Sequence, residues 1–190
     1  MSVLVVDNLS PYTRDILSCL NKLKVNYTYK KFYEEIDHEI STYESVILSG
    51  RSKPSRHINI ANINLILECN LLGTPMLGIC YGAEIMALAL GGTIRRMITP
   101  VREMSNILLS ESPEANIIFQ KNRSLCVYES HAYCIARMPD DFVSIATSKY
   151  CKKEIIVNLK KKMLGVQFHP EKSKTDGLVL FSSFFTNVRT

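Results

Sequence analysis

A chain of 190 residues is long enough for one domain with a substantial core. Its 46% hydrophobic and 22% charged residues are ordinary globular composition, and no apolar run approaches the ~20 residues of a membrane-spanning helix. The net charge of +5 is modest, and no aromatic platform or RNA-binding signature accompanies it, so neither a membrane nor nucleic acid is expected as a partner.

The chain opens MSVLVVDN, which reads as a first strand over Val3 to Val6 ending in a polar turn. It lacks the basic-then-apolar layout of a signal peptide, and a cytoplasmic protein is expected. From about Pro11 to Leu23, Ile16, Leu17, Leu20 and Leu23 fall on one helical face. A short β-prone stretch, Asn26 to Lys30, comes next, and then the continuous apolar strand Ser45 to Ser49. A loop from Gly50 to His57 leads to a helix around Ile60 to Leu72. Pro75-Met76-Leu77-Gly78-Ile79 is a short buried strand bounded by Pro and Gly, and Ile85, Met86, Leu88, Ala89 and Leu90 fill a helical face that stops at Gly91-Gly92. Such βαβ repetition predicts an α/β fold with a mostly parallel sheet covered by helices on both faces.

The second half changes character. Segments 106–110, 116–119, 124–129, 142–147, 154–159 and 163–168 read mostly as short strands, added to the sheet of one domain covering 1–190, and a last helix runs from about Gly177 to Asn187. Lys160-Lys161-Lys162, the densest basic run, reads as a solvated hairpin tip. Six cysteines without a CxxC are expected to be reduced, with all but Cys80 being core thiols. His38, His57, His131 and His169 form no HxxxH or Cys/His cluster, so no metal is expected.

Three places ask for a joint explanation. Cys80, in Gly-Ile-Cys-Tyr-Gly, stands between an apolar strand and a helix, an elbow that exposes a side chain above the sheet and aims a helix N-terminus at it. Leu48-Ser49-Gly50 ends a second strand, and Gly165-Val166-Gln167-Phe168-His169-Pro170-Glu171 ends a third. In parallel sheets ligands bind at these carboxyl ends. A cysteine nucleophile needs a base, which His169 would supply, and Glu171 would hold the imidazole in the right tautomer. Backbone N–H groups of Tyr81 and Arg51 would stabilise an oxyanion. Asp7 and Asn8 read as turn-formers.

GICYG and GVQFHPE, in this order and on strand ends, resemble class I glutamine amidotransferase domains over almost the whole chain, from Val5-Val6-Asp7-Asn8 to Phe184-Phe185. The resemblance implies that Cys80, His169 and Glu171 release ammonia from glutamine through a γ-glutamyl thioester. It also implies substrate contacts from Gly50, Glu84, Ser130 and His131. Tyrosine after the cysteine, Leu48-Ser49-Gly50 and Ser130-His131 are similar to the GMP synthase branch, and Asp7-Asn8 to the anthranilate-type opening. No ATP-pyrophosphatase region follows, so the branch implied is the amidotransferase subunit of a two-subunit GMP synthase. This chain would then carry no cofactor, with ATP and Mg2+ on a partner synthetase subunit that aminates XMP. The alternatives are the amidotransferase subunit of anthranilate or aminodeoxychorismate synthase and a stand-alone γ-glutamyl hydrolase. Two positions depart from the family pattern. Arg51 stands in a turn that usually carries glycine, and Glu84 replaces a glutamine, placing a carboxylate that opposes a thiolate near Cys80.

Overall fold

The computed structural model describes residues 2–36, 39–120 and 122–189. His38 lies outside them. The elements run β1 (Val3–Asp7), α1 (Thr13–Lys22), β2 (Tyr27–Lys31), β3 (Ser45–Leu48), α2 (Arg56–Leu72), β4 (Met76–Ile79), α3 (Tyr81–Ala89), β5 (Thr93–Leu109), α4 (Pro113–Phe119), β6 (Ser124–Arg137), β7 (Val143–Thr147), β8 (Ile155–Asn158), β9 (Met163–Val166) and α5 (Lys174–Ser183). They build one nine-stranded sheet in the order β2-β1-β3-β4-β9-β8-β7-β5-β6. The five strands from β2 to β9 pair in parallel, and the rest are antiparallel.

Alternation along the strands sorts the core into two layers. Val3 and Val5 of β1 face α1 and α5 with Ile47 and Leu77, and Phe181 packs among them. Leu4 and Val6 face the other way with Val46, Leu48 and Met76, against α2 and α3. Helix α2 starts where Ser55 caps the N–H of Ile58 and stops at Gly73, whose φ of 69° is the left-handed conformation that ends helices. Asp7 and Asn8 are turn-formers, as the sequence predicts. Asp7 accepts from the Ser10 N–H and from the Thr13 and Tyr29 hydroxyls, and Asn8 ties Ser49 to Asn62.

Two expectations need correction. Residues 116–119 are not a strand but the end of α4, where Ser112 caps the Ala115 N–H and Pro113 sits in the first turn. The predicted strands at 106–110 and 124–129 are the inner parts of a much longer hairpin, β5 with β6. Its outer part alternates little because Arg95, Arg96 and Ile98 face solvent, so the period-2 signal fades there. The Lys160–Lys162 tip does join β8 to β9 as an antiparallel hairpin. All six cysteines are free, and Cys126 is exposed, contrary to its expected place in the core. Among the described residues no helix is long and apolar enough to cross a membrane.

Candidate active site

β3, β4 and β9 are neighbours running the same way, so their carboxyl ends bring Gly50, Cys80 and His169 to one edge of the sheet. The elbow is real. Cys80 caps the N-terminus of α3 with φ 51° and ψ −107°, a positive φ that a side-chain-bearing residue seldom adopts and that strain at functional turns accounts for. Its N–H still completes the sheet by donating to the Val166 carbonyl at 2.7 Å, and its carbonyl accepts from Ala83 and Glu84 to start the helix. The thiol is therefore fixed from both sides. Gly50 lets the strand ends close: a Cβ there would stand 3.1 Å from the His169 ring.

His169 follows β9 with the alternation kept, so that Val166 and Phe168 enter the core and His169 falls on the other side, by Cys80. Its backbone is held at both groups: its N–H donates to the Tyr128 carbonyl at 2.8 Å and its carbonyl accepts from the Ser173 hydroxyl at 2.6 Å. The ring's Nδ1 lies 2.7 Å from Glu171 Oε1, and the imidazole adjoins Cys80 across Gly50, whose Cβ position lies against both. Tyr12 packs edge-on to the imidazole, with centroids 4.8 Å apart.

The electrostatics follow from this burial. Burial disfavours the His169 cation, but the Glu171 carboxylate and Cys80 together outweigh it and hold the imidazole well above its ordinary value. Burial pushes the Cys80 thiol up, His169 pulls it down, and Glu84 and Glu171 add to the upward push. The remaining aid to a thiolate is the N-terminus of α3, whose first N–H groups point at the elbow.

A cavity of about 260 Å³ opens beside the thiol, walled by Arg51 to Pro54 on one side and Ser130 to Tyr133 on the other, with Tyr81 and Glu84. Arg51 and Tyr81, the expected oxyanion donors, both line this cavity with Cys80. Arg51 is absent from the residues with positive φ, so its backbone is ordinary where glycine is usual in the family. Its guanidinium stacks over the Tyr81 ring at 3.9 Å and donates to Asn59, which also accepts from the Tyr81 hydroxyl.

Glu84 is buried in this cavity rather than facing solvent, and it accepts from Gln167 Nε2 at 3.0 Å. Burial raises its carboxyl, opposed first by Gln167 and then by the charges of His131, Arg51 and His169. Ser130 reaches the thiol through its carbonyl, 3.9 Å from Cys80 Sγ. His131 lines the cavity, but both its ring nitrogens are engaged, Nδ1 with the Tyr133 carbonyl and Nε2 with Glu129. Sequence reasoning does not single out Tyr12, Asn59, Ser173, Glu129 or Glu154. Gln167 stands in plain sight inside GVQFHPE.

The profile of class I glutamine amidotransferases matches residues 4–188. One subunit of the glutamine-hydrolysing GMP synthase of Saccharolobus solfataricus is 32% identical over 148 residues, 77% of each chain. The glutamine-hydrolysing GMP synthase of Aliivibrio fischeri strain MJ11 is 28% identical over 188 residues, 98% of this chain but 36% of that protein. This chain thus spans about a third of the length of several curated relatives it matches. Among solved structures, a candidate GMP synthase subunit from Thermoplasma acidophilum superposes with a TM-score of 0.83 at 24% identity, covering 99% of this chain and 94% of that one. A glutamine amidotransferase from Thermotoga maritima gives 0.76 at 18% identity, covering 100% and 95%. The family profile spans nearly the whole chain, and this chain belongs to the class I glutamine amidotransferase family.

Proposed function

We propose that the chain hydrolyses glutamine to glutamate and ammonia, with Cys80 as nucleophile, His169 as acid and base, and Glu171 as the group that orients and charges the imidazole. The observation that carries this is the buried His169 imidazole, bonded to Glu171 at 2.7 Å and set beside Cys80 at the end of neighbouring parallel strands. The thiolate attacks the side-chain amide carbon, and the oxyanion that forms accepts from the N–H groups of Tyr81 and Arg51. His169 passes its proton to the amide nitrogen, the C–N bond breaks, and ammonia leaves a thioester on Cys80. A water then gives its proton to His169 as it attacks the thioester, releasing glutamate and the thiolate.

Ammonia release is useful to a cell only where something consumes it. The relatives named as GMP synthase, one of them a separate subunit, support delivery to an ATP-dependent synthetase subunit that aminates XMP to GMP. ATP and Mg2+ belong on that subunit. The test is glutamine turnover by the purified chain, alone and with an ATP-pyrophosphatase subunit plus ATP and XMP. The reading predicts GMP formation from glutamine only when both chains are present. Turnover without any stimulation by the synthetase would refute the partnership and leave a hydrolase.

A further inference from the structure

Behind the wall that Ser130 and His131 give to the cavity, three possible ligands converge. Glu129 and Glu154 are fully buried, as is the His131 ring at 1% side-chain exposure. His131 Nδ1 lies 2.8 Å from the Tyr133 carbonyl, which can only accept, so Nδ1 carries a hydrogen. In the neutral ring, Nε2 then turns a lone pair towards Glu129 Oε2, 2.9 Å away. One oxygen of Glu154 is held by the Ser148 hydroxyl, whereas Glu129 Oε1 and Glu154 Oε2 have no hydrogen-bond partner. A nitrogen of His131 and one oxygen of each carboxylate lie within 4.8 Å of one another. Among the described residues no lysine or arginine pairs with either carboxylate. Two buried carboxylates facing a histidine nitrogen need positive charge among them, from a metal ion or from protons.

We propose that Glu129, His131 and Glu154 form a site for a divalent transition-metal ion of the zinc class, tying β6 to the start of β8 behind the Cys80 cavity. One such ion offsets both carboxylates and engages an oxygen of each together with the imidazole lone pair. The outer contacts have the form that metal sites use: the ligating histidine donates its second nitrogen to a backbone carbonyl, and a ligating carboxylate is itself hydrogen-bonded. An imidazole with two carboxylates suits zinc, with manganese or ferrous iron as weaker fits. The ion's role is structural. It fixes the register of Glu129 to His131, whose intervening Ser130 carbonyl touches the nucleophile. The competing occupant is hydrogen: burial and Glu129 push Glu154 up to about 8, so protons could hold the cluster instead.

The test uses the full chain without a polyhistidine tag, stripped with a chelator and titrated separately with Zn2+ and Co2+. The site predicts about one ion per chain, and a melting temperature that rises with Zn2+. It also predicts a Co2+ spectrum lacking the thiolate charge-transfer band that any of the six cysteines would give. Glu129→Gln and Glu154→Gln should each abolish both the bound ion and the thermal shift. Should a variant fail to fold, nitrogen-15 NMR of histidine-labelled wild type answers the same question, since Zn2+ must shift His131 Nε2 and leave Nδ1 protonated. No stoichiometric binding, binding that survives both substitutions, a thiolate spectrum or an unmoved His131 Nε2 would each overturn the site and leave the cluster to protons.

Discussion

His169 works only as well as its neighbours hold it. Glu171 fixes the ring by Nδ1 and supplies the charge that raises its pKa against burial. In Glu171→Gln the geometry survives and the charge goes, so the imidazole no longer retains its proton beside the thiolate. We expect kcat to fall by about two to four orders of magnitude, as loss of an orienting carboxylate does in such triads. The rate of Cys80 alkylation against pH should move to higher pH at the same time, because losing the imidazolium that favours the thiolate outweighs the smaller upward push that Glu171 itself exerts. A variant whose kcat and alkylation curve both match wild type would remove Glu171 from the mechanism.

Glu84 gives the opposite experiment. Its carboxyl is raised mainly by burial, and it opposes the Cys80 thiolate. Glu84→Gln keeps an oxygen for Gln167 and removes the charge, so alkylation should shift to lower pH. If Glu84 also touches the substrate amide, KM falls several-fold, the effect of about one neutral hydrogen bond. Stability carries a definite sign. A carboxyl whose folded value exceeds its unfolded one favours the fold below the unfolded value and loses that favour as pH rises through the folded one. Glu84→Gln should therefore raise the melting temperature at neutral pH, with the gain shrinking towards acid. A gain that grows on acidification would contradict the direction assigned to Glu84.

The residues legible in the sequence are those whose neighbours in the chain explain them. Cys80 stands out because an elbow surrounds it, and His169 with Glu171 because they follow an apolar strand. Tyr12, Glu129 and Glu154 give no such local sign. Each acquires its meaning from a partner far away in the chain, Tyr12 from His169 and Glu154 from Glu129, and periodicity cannot report that.

At the scale of elements, the turn after β9 depends on α5. Pro170, Glu171 and Lys172 form a single tight turn, and Gly177 of α5 packs directly against it, so that a Cβ would stand 1.7 Å from the Pro170 carbonyl oxygen. Gly177→Ala must push the turn or the helix away. We expect a loss of about 1–3 kcal/mol or more in stability, read by denaturant melting, and a fall in kcat larger than any change in KM because Glu171 moves. Wild-type stability and kcat would show that the two elements give way without cost. Most elements are legible because short strands of Val, Ile and Leu alternate with longer helical runs bounded by caps and glycines, such as Ser55 and Gly73 around α2. The end of α4 reads as a strand from Ile117, Ile118 and Phe119, although Ser112-Pro113-Glu114 is a helix start. The outer half of the β5–β6 hairpin escapes the sequence because it borrows no periodic face from the core.

For the whole molecule, the parallel half of the sheet supplies Cys80 and His169, the proposed nucleophile and base, and the antiparallel half supplies the Ser130–Tyr133 wall. Arg51, the proposed oxyanion donor, lies between β3 and α2 in a loop whose Ser52, Lys53 and Pro54 are exposed at the cavity mouth. A synthetase subunit docking there would bear on that donor, so glutamine turnover should be slow alone and rise as the partner is titrated with its nucleotides present. A high and flat rate would mean that both donors are already set. The claim beneath all of this is that Cys80 is the nucleophile. A glutamine-derived alkylating agent, followed by peptide mapping in a mass spectrometer, tests it most directly. The account predicts a single label on Cys80, prevented by glutamine and lost in Cys80→Ser. Label placed chiefly on the exposed Cys126, or on any other cysteine, would contradict it.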